Sequence, residues 1–319
     1  MNPIPSAEQQ QDLEQFRQLL FHLQMQSGSI HNIFHFFKEQ ESMQYFQALK
    51  AIDPNLMTQL LAREYVLEAR KSPCADDARS HLQTALRLDP RCPEAFFEMA
   101  NISNTPEAAM KWYSKCMEYS VKQLGSERFD QLLEDFKEKP WRQIELYTYL
   151  KAKTGLAEKL FREGHYDVAV LHFRELLEWN PADDIHIRHF LFVALLCENR
   201  LSEAQSLQRD YPADLSAQWY YCRAFLRYKM EGNSRRANRL LLRAFKRNLW
   251  AALYMLGLRE MPPAQTRQNA SPAGSAAFKE GSKMEAVECV RYTAAAVIED
   301  ARMAAWLWDR LRRSYEGIV

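Results

Sequence analysis

The feature that most limits what this chain can fold into is a recurring spacing of small and bulky residues. The segment "DDARSHLQTALRLDP" places Ala78, Leu82, Ala85 and Pro90 at offsets 0, 4, 7 and 12. "GHYDVAVLHFRELLEWNP" repeats those offsets with Ala169, Phe173, Leu176 and Pro181. Shorter echoes are Ala109, Tyr113 and Cys116; Ala204; Ala237, Leu241 and Ala244; and Ala286, Val290 and Thr293. Offsets 0, 4 and 7 lie on one face of an α-helix. A small residue there lets two helix backbones approach, and the bulky residue a turn later fills the groove between helices. Proline stops the helix because it has no N–H to donate. The anchors at 78, 109, 169, 204, 237 and 286 are separated in several cases by 31, 35 or 33 residues, close to a period of about 34 that marks repeated helical hairpins. The 60 residues between 109 and 169 accommodate one unit and an insertion. One hairpin cannot bury its apolar face alone, so neighbours must stack. The pattern predicts an all-α protein: an α-solenoid of stacked helical hairpins in a right-handed superhelix, with no β-sheet.

Composition narrows the function classes. Glycine, the residue of tight turns and phosphate-cradling loops, occurs only 9 times in 319 residues. That scarcity opposes a dinucleotide-binding or P-loop enzyme. No GxSxG, GxGxxG, GxxxxGK[ST] or HxE…PCxxC arrangement occurs, so no motif points to catalysis, and neither a cofactor nor a small-molecule substrate is expected. "MNPIPSAEQQQ" lacks the basic and apolar regions of a leader peptide. No apolar run is longer than that from Phe190 to Cys197, far below the ~20 residues of a membrane span. The six cysteines form no CxxC pair and read as reduced thiols of a cytoplasmic protein.

Along the chain, residues 1–56 read as a Gln-rich helical segment packing on the array, with Ser6 and Gln9 as a capping box. Residues 57–261 hold the repeats, with an insertion near 117–149 broken at Pro140. Residues 262–282, rich in proline, glycine and small polar residues, read as a mobile loop. Residues 283–319 read as two capping helices, Met284 to Ala296 and Ile298 to Arg313.

Residues 59–92 and 150–183 resemble tetratricopeptide repeats. The longer run "YTYLKAKTGLAEKLFREGHYDVAVLHFRELLEWNPADDIHIRHFLFVALL" is similar to the bacterial suppressor-of-tumorigenicity-7-like tetratricopeptide family. So are "PEAFFEMANISNTPEAAMKWYSKCME" and the C-terminal "GSKMEAV…AAWLW". The resemblance implies a non-enzymatic scaffold whose first-helix side chains line a concave groove that binds a peptide or helix of another protein. In that groove fall Lys151, Thr154, Glu158 and Phe161, then His186 and His189, then Trp219. Thr154 and Glu158 depart from the lysine and asparagine lining that clamps a C-terminal carboxylate, so capture of a chain end is not expected.

Charge supplies the alternative surface. Between Trp219 and Glu260 stand ten basic residues against two acidic ones, a net of +8, whereas residues 1–218 carry a net of −8. Arg223 and Arg227 sit one turn apart, and Arg236, Arg239 and Arg243 share a face of the next helix. Such a segment suits an acidic peptide, a phosphate or a nucleic acid. His31, His35 and Glu39 share one helix face, and His186 and His189 another, but neither set has the further ligands a metal site requires. No metal is expected.

Overall fold

The computed structural model describes Arg17, Leu20, Phe21 and Gln24, and residues 55–135, 137, 140, 143–262 and 279–315. The Ser6 cap, most of the Gln-rich segment, the His31/His35/Glu39 face and positions 263–278 of the linker lie outside the described residues. Among the described residues the protein is all-α, with fourteen helices and no strand. In chain order they are α1 (Leu56–Lys71), α2 (Ala75–Leu88), α3 (Pro93–Asn101), α4 (Pro106–Leu124), α5 (Ser126–Asp135), α6 (Ile144–Arg162) and α7 (Tyr166–Trp179). They continue as α8 (Ile187–Cys197), α9 (Leu201–Asp210), α10 (Ala217–Glu231), α11 (Arg235–Arg247), α12 (Leu249–Met255), α13 (Lys283–Ile298) and α14 (Ala301–Ser314).

Local chemistry sets the helix ends. The side chains of Thr105, Ser216, Ser234 and Ser282 accept the backbone N–H three residues on, at 3.0–3.2 Å, filling donors that the first turn leaves open. Pro93 and Pro106 open α3 and α4 at a position where no N–H is needed. Gly232 closes α10 with φ +65° and donates its N–H to Tyr228 at 2.7 Å, a left-handed stop that glycine adopts without steric cost. Helices α2 and α7 end at Leu88 and Trp179, just before Asp89-Pro90 and Asn180-Pro181.

The chain divides into two compact units, Met1–Lys159 and Leu160–Val319, and the division falls inside α6. In the first, α1 packs on α2 and α3 on α4. Ala62, Val66, Ala78, Leu82, Ala85, Cys92 and Ala95 form a core cluster there. Gly155 has a packing reason: a Cβ on it would lie 2.6–2.9 Å from the Tyr113 ring. Tyr113 itself donates its hydroxyl to Asn101 at 2.8 Å. In the second unit, α7 packs on α8 and α10 on α11. Helix α13 packs against α8, α10 and α12, although it follows them by up to a hundred positions.

The anchors Ala78, Ala109, Ala169, Ala204, Ala237 and Ala286 are all buried, as are Leu82, Tyr113, Phe173, Leu241 and Val290 four residues after their anchors. Each fully buried leucine or phenylalanine contributes about 1.5–3 kcal/mol relative to exposure. The place of α13 is fixed by one carboxylate. Glu285 accepts the N–H of Gly281 at 2.7 Å and of Ala217 at 3.3 Å, the Asn248 amide at 2.9 Å and the Arg247 guanidinium at 2.7 and 3.0 Å. It thereby joins the start of α10, the end of α11 and the first turn of α13.

Candidate functional site

Of the four α6 residues expected to line a groove, Lys151, Thr154 and Glu158 are half-buried and Phe161 is buried. The Lys151 ammonium lies 4.9 Å from the Phe97 ring centroid and 5.1 Å from that of Tyr147. Burial and the nearby Arg70 charge lower its pKa. Thr154 is half-buried, with its hydroxyl oxygen buried and without a hydrogen-bond partner among the described residues. Glu158 stands one turn further along. Phe161 belongs to the core of the second unit, edge-on to Tyr166, Phe173 and Phe190 at 5.4–6.3 Å.

The two histidines belong to a charge cluster at the start of α8. Asp183 (φ +52°) and His186 (φ +62°) both take left-handed backbone conformations, turning the chain so that the Asp183 carboxylate caps the helix. It accepts the N–H of Ile187 at 2.6 Å and of Arg188 at 2.9 Å, and the Arg188 guanidinium at 2.8 Å. A second carboxylate arrives from the loop before α10. Asp214 accepts the Arg188 Nε–H and the His189 Nε2–H at 2.8 Å each, and the Ser216 N–H at 2.9 Å. Burial works against the Asp214 charge. The hydrogen bond and charge of His189, with the donors of Ser216, outweigh it and hold that carboxyl well below the usual range. The rings of His186 and His189 are stacked at 5.4 Å and 7°. Burial, then the His189 and Arg188 charges, push His186 down to about 4, so it is neutral at pH 7. Trp219 is only 1% exposed, with its ring edge-on to Phe192 at 4.9 Å. His189 and Trp219 are therefore packing residues, and the cluster's charges are answered inside the protein. No group of three or more metal-ligating side chains forms among the described residues.

The basic segment behaves differently. Several of its cations are paired internally: Arg227 with Glu231 at 2.8 Å, Lys229 with Asp300 at 3.6 Å, and Arg247 with Glu285 at 2.7 Å. Arg223 is half-buried with its Nε enclosed. By contrast Arg235, Arg236, Arg239, Arg243 and Lys246 are all exposed, and among the described residues none makes an ion pair or side-chain hydrogen bond. At about 100° per residue these five fall within an arc of roughly 100° on α11. The other face is buried through Ala237, Leu241, Ala244 and Phe245. Asn238 accepts the Trp306 indole N–H at 2.8 Å, so α14 fixes the rotation of α11 and the cationic face points to solvent. The arginines at 236, 239 and 243 were legible as one face. Arg235 and Lys246 join them because neither forms an ion pair among the described residues, a fact no spacing reveals.

No described helix is long and apolar enough to cross a membrane. All six cysteines are free thiols, and burial raises the pKa of those at 92, 116, 197, 222 and 289. Comparison with known proteins finds no family model and no curated protein that matches the chain.

Proposed function

We propose that this chain is a tetratricopeptide-like α-solenoid, closed at its C-terminal end by α13 and α14, that serves in the cytoplasm as a non-enzymatic scaffold for another protein. Helical hairpins with buried small anchors support the solenoid, because such units leave an extended surface free for contacts. The observation that carries the binding reading is the α11 face, where five cations remain exposed and without an ion pair among the described residues while Arg227, Lys229 and Arg247 of the same segment are paired. A surface of this kind recruits an oppositely charged partner and makes the association salt-dependent.

The test is capture from lysate of the source cells by the immobilised chain and by an Arg236→Ser/Arg239→Ser/Arg243→Ser variant, with mass spectrometry of what is retained. The reading expects a protein held in near-stoichiometric amount by the parent and released by moderate salt. If only RNA or DNA is retained, or no protein above the level of an unrelated helical protein, the scaffold reading fails. A protein retained equally by the variant moves the docking surface to the groove near Lys151, Thr154 and Glu158.

A further inference from the structure

We propose that the cationic face of α11 is a docking site for a short acidic helix of a partner protein, one presenting carboxylates at i, i+4, i+8 and i+11 along a single face. The inference rests on the scaffold reading and gives its partner a chemistry.

The site has a defined length. From Arg235 to Lys246 the axial rise is about 16 Å, and the steps 235–239–243–246 rise about 6.0, 6.0 and 4.5 Å. Carboxylates one turn apart on a second helix repeat those steps. In an extended strand, same-side residues recur every ~6.6–6.8 Å and drift out of register over four positions.

Both ends of the face carry negative charge. At the N-terminal end, Glu231 is held by Arg227 at 2.8 Å and by the Ser234 hydroxyl at 2.9 Å. At the C-terminal end, Arg247 is occupied by Glu285 and approached by the exposed Glu280 at 3.4 Å. The cations that flank the face, Arg227 and Arg247, are thus already paired, so a polyanion running past either end gains no further ion pair there. Continuous phosphate backbones fit that boundary poorly, while an acidic segment of three to four turns fits it.

Three aromatic residues of the basic segment that could serve a single-stranded nucleic acid for base stacking are committed elsewhere. Trp219 and Tyr221 are buried, and Tyr228 stacks on Trp306 at 4.4 Å. Leu242, 37% exposed at the edge of the arc, offers an apolar contact that an amphipathic partner helix can cover. Four of the five cations are arginines, whose planar forks pair bidentately with carboxylates.

The experiment uses the full chain and an alanine-based peptide of about 15 residues, four turns, with glutamates on one face. Controls are a peptide of the same composition with glutamates spread around the helix, a lysine counterpart, and single-stranded RNA and duplex DNA of matched charge. Binding is followed by fluorescence anisotropy across a salt series. The proposal expects the one-faced glutamate peptide to bind most tightly. It expects the affinity to fall about tenfold or more in the Arg236→Ser/Arg239→Ser/Arg243→Ser variant, since each exposed pair adds a small increment. An Arg236→Glu/Arg239→Glu/Arg243→Glu variant should prefer the lysine peptide. Because these side chains are exposed, circular dichroism should show all variants equally helical. Tighter binding of RNA or DNA, equal binding of the scattered peptide, or no loss in the serine variant each overturns the proposal. If the serine variant loses a captured protein yet the glutamate peptide does not bind the parent, the scaffold reading stands and this inference alone falls.

Discussion

The Asp183–Asp214 cluster and the α11 face lie in the same unit and are both dense in charge, yet they spend it in opposite ways. At the start of α8, two buried carboxylates meet one guanidinium and one imidazole, and every charge is answered within 3 Å. On α11, five exposed cations share one arc and none forms an ion pair among the described residues. The difference teaches that charge in a folded chain is read by its partners, not by its count: the first region holds loops in place, and the second is available to something else.

Removing the Asp214 carboxylate should break that contrast hardest. Asp214→Ala leaves Arg188 and His189 enclosed without their shared acceptor, and loss of one partner of a buried ion pair costs about 3–5 kcal/mol. Denaturant unfolding should report a loss of that order, and a loss below about 1 kcal/mol would show the cluster to be dispensable.

Acid probes the same region more gently. His186, held at about 4 against an ordinary 6.5, stays neutral in the fold while the unfolded chain takes up a proton. The His186 contribution to stability should therefore be constant above pH 6.5 and decline between pH 6.5 and 4. The decline is at most about 3 kcal/mol at 1.36 kcal/mol per unit, less what solvent screening removes at a half-buried ring. The Asp214 carboxyl works in a lower window. Its depressed value adds stability that is fully present above pH 4 and lost only as the pH falls further. His186→Asn should flatten the profile between 6.5 and 4 and leave the lower limb in place. An unchanged slope there would remove His186 from the cluster's titration.

Within α11 itself the contrast reduces to adjacent positions. Ala244→Leu forces a larger side chain into a fully buried contact and should cost about 1–3 kcal/mol. Arg243→Leu replaces an exposed cation and should stay within about 0.5 kcal/mol. Equal unfolding midpoints for the two variants would contradict the orientation of the helix.

Much of the helical frame was legible, because it depends on local rules. The offsets of Ala169, Phe173 and Leu176 mark a face that a helix must bury, and the Asn180-Pro181 and Asp89-Pro90 steps mark where helices stop. Met284 to Ala296 lies within two residues of the observed limits, and Arg313 within one, but Ile298 closes α13 and the last helix opens three residues later at Ala301. The candidate sites were less legible, because pairing is not local. His189 and Asp214 are 25 positions apart, and Arg247 and Glu285 are 38 apart. Asp183 and His186 take left-handed conformations with no glycine to announce them. The resemblance sets Trp219 in the lining of a groove, whereas its ring is buried edge-on against Phe192.

The Glu285 junction has a bearing on how the molecule could be taken apart. Its five hydrogen bonds gather the start of α10, the end of α11 and the turn before α13, while Ala286, Cys289, Val290, Thr293 and Ala296 bury the same helix. The position of α13 is thus encoded in its own contacts, not in the stretch of polypeptide that delivers it. Loop length enters stability only as the logarithm of the residue number. The stretch between Pro262 and Lys279 is accordingly the natural seam for a split protein, where two separately made fragments would reassemble through the contacts of α13 with α8, α10 and α12.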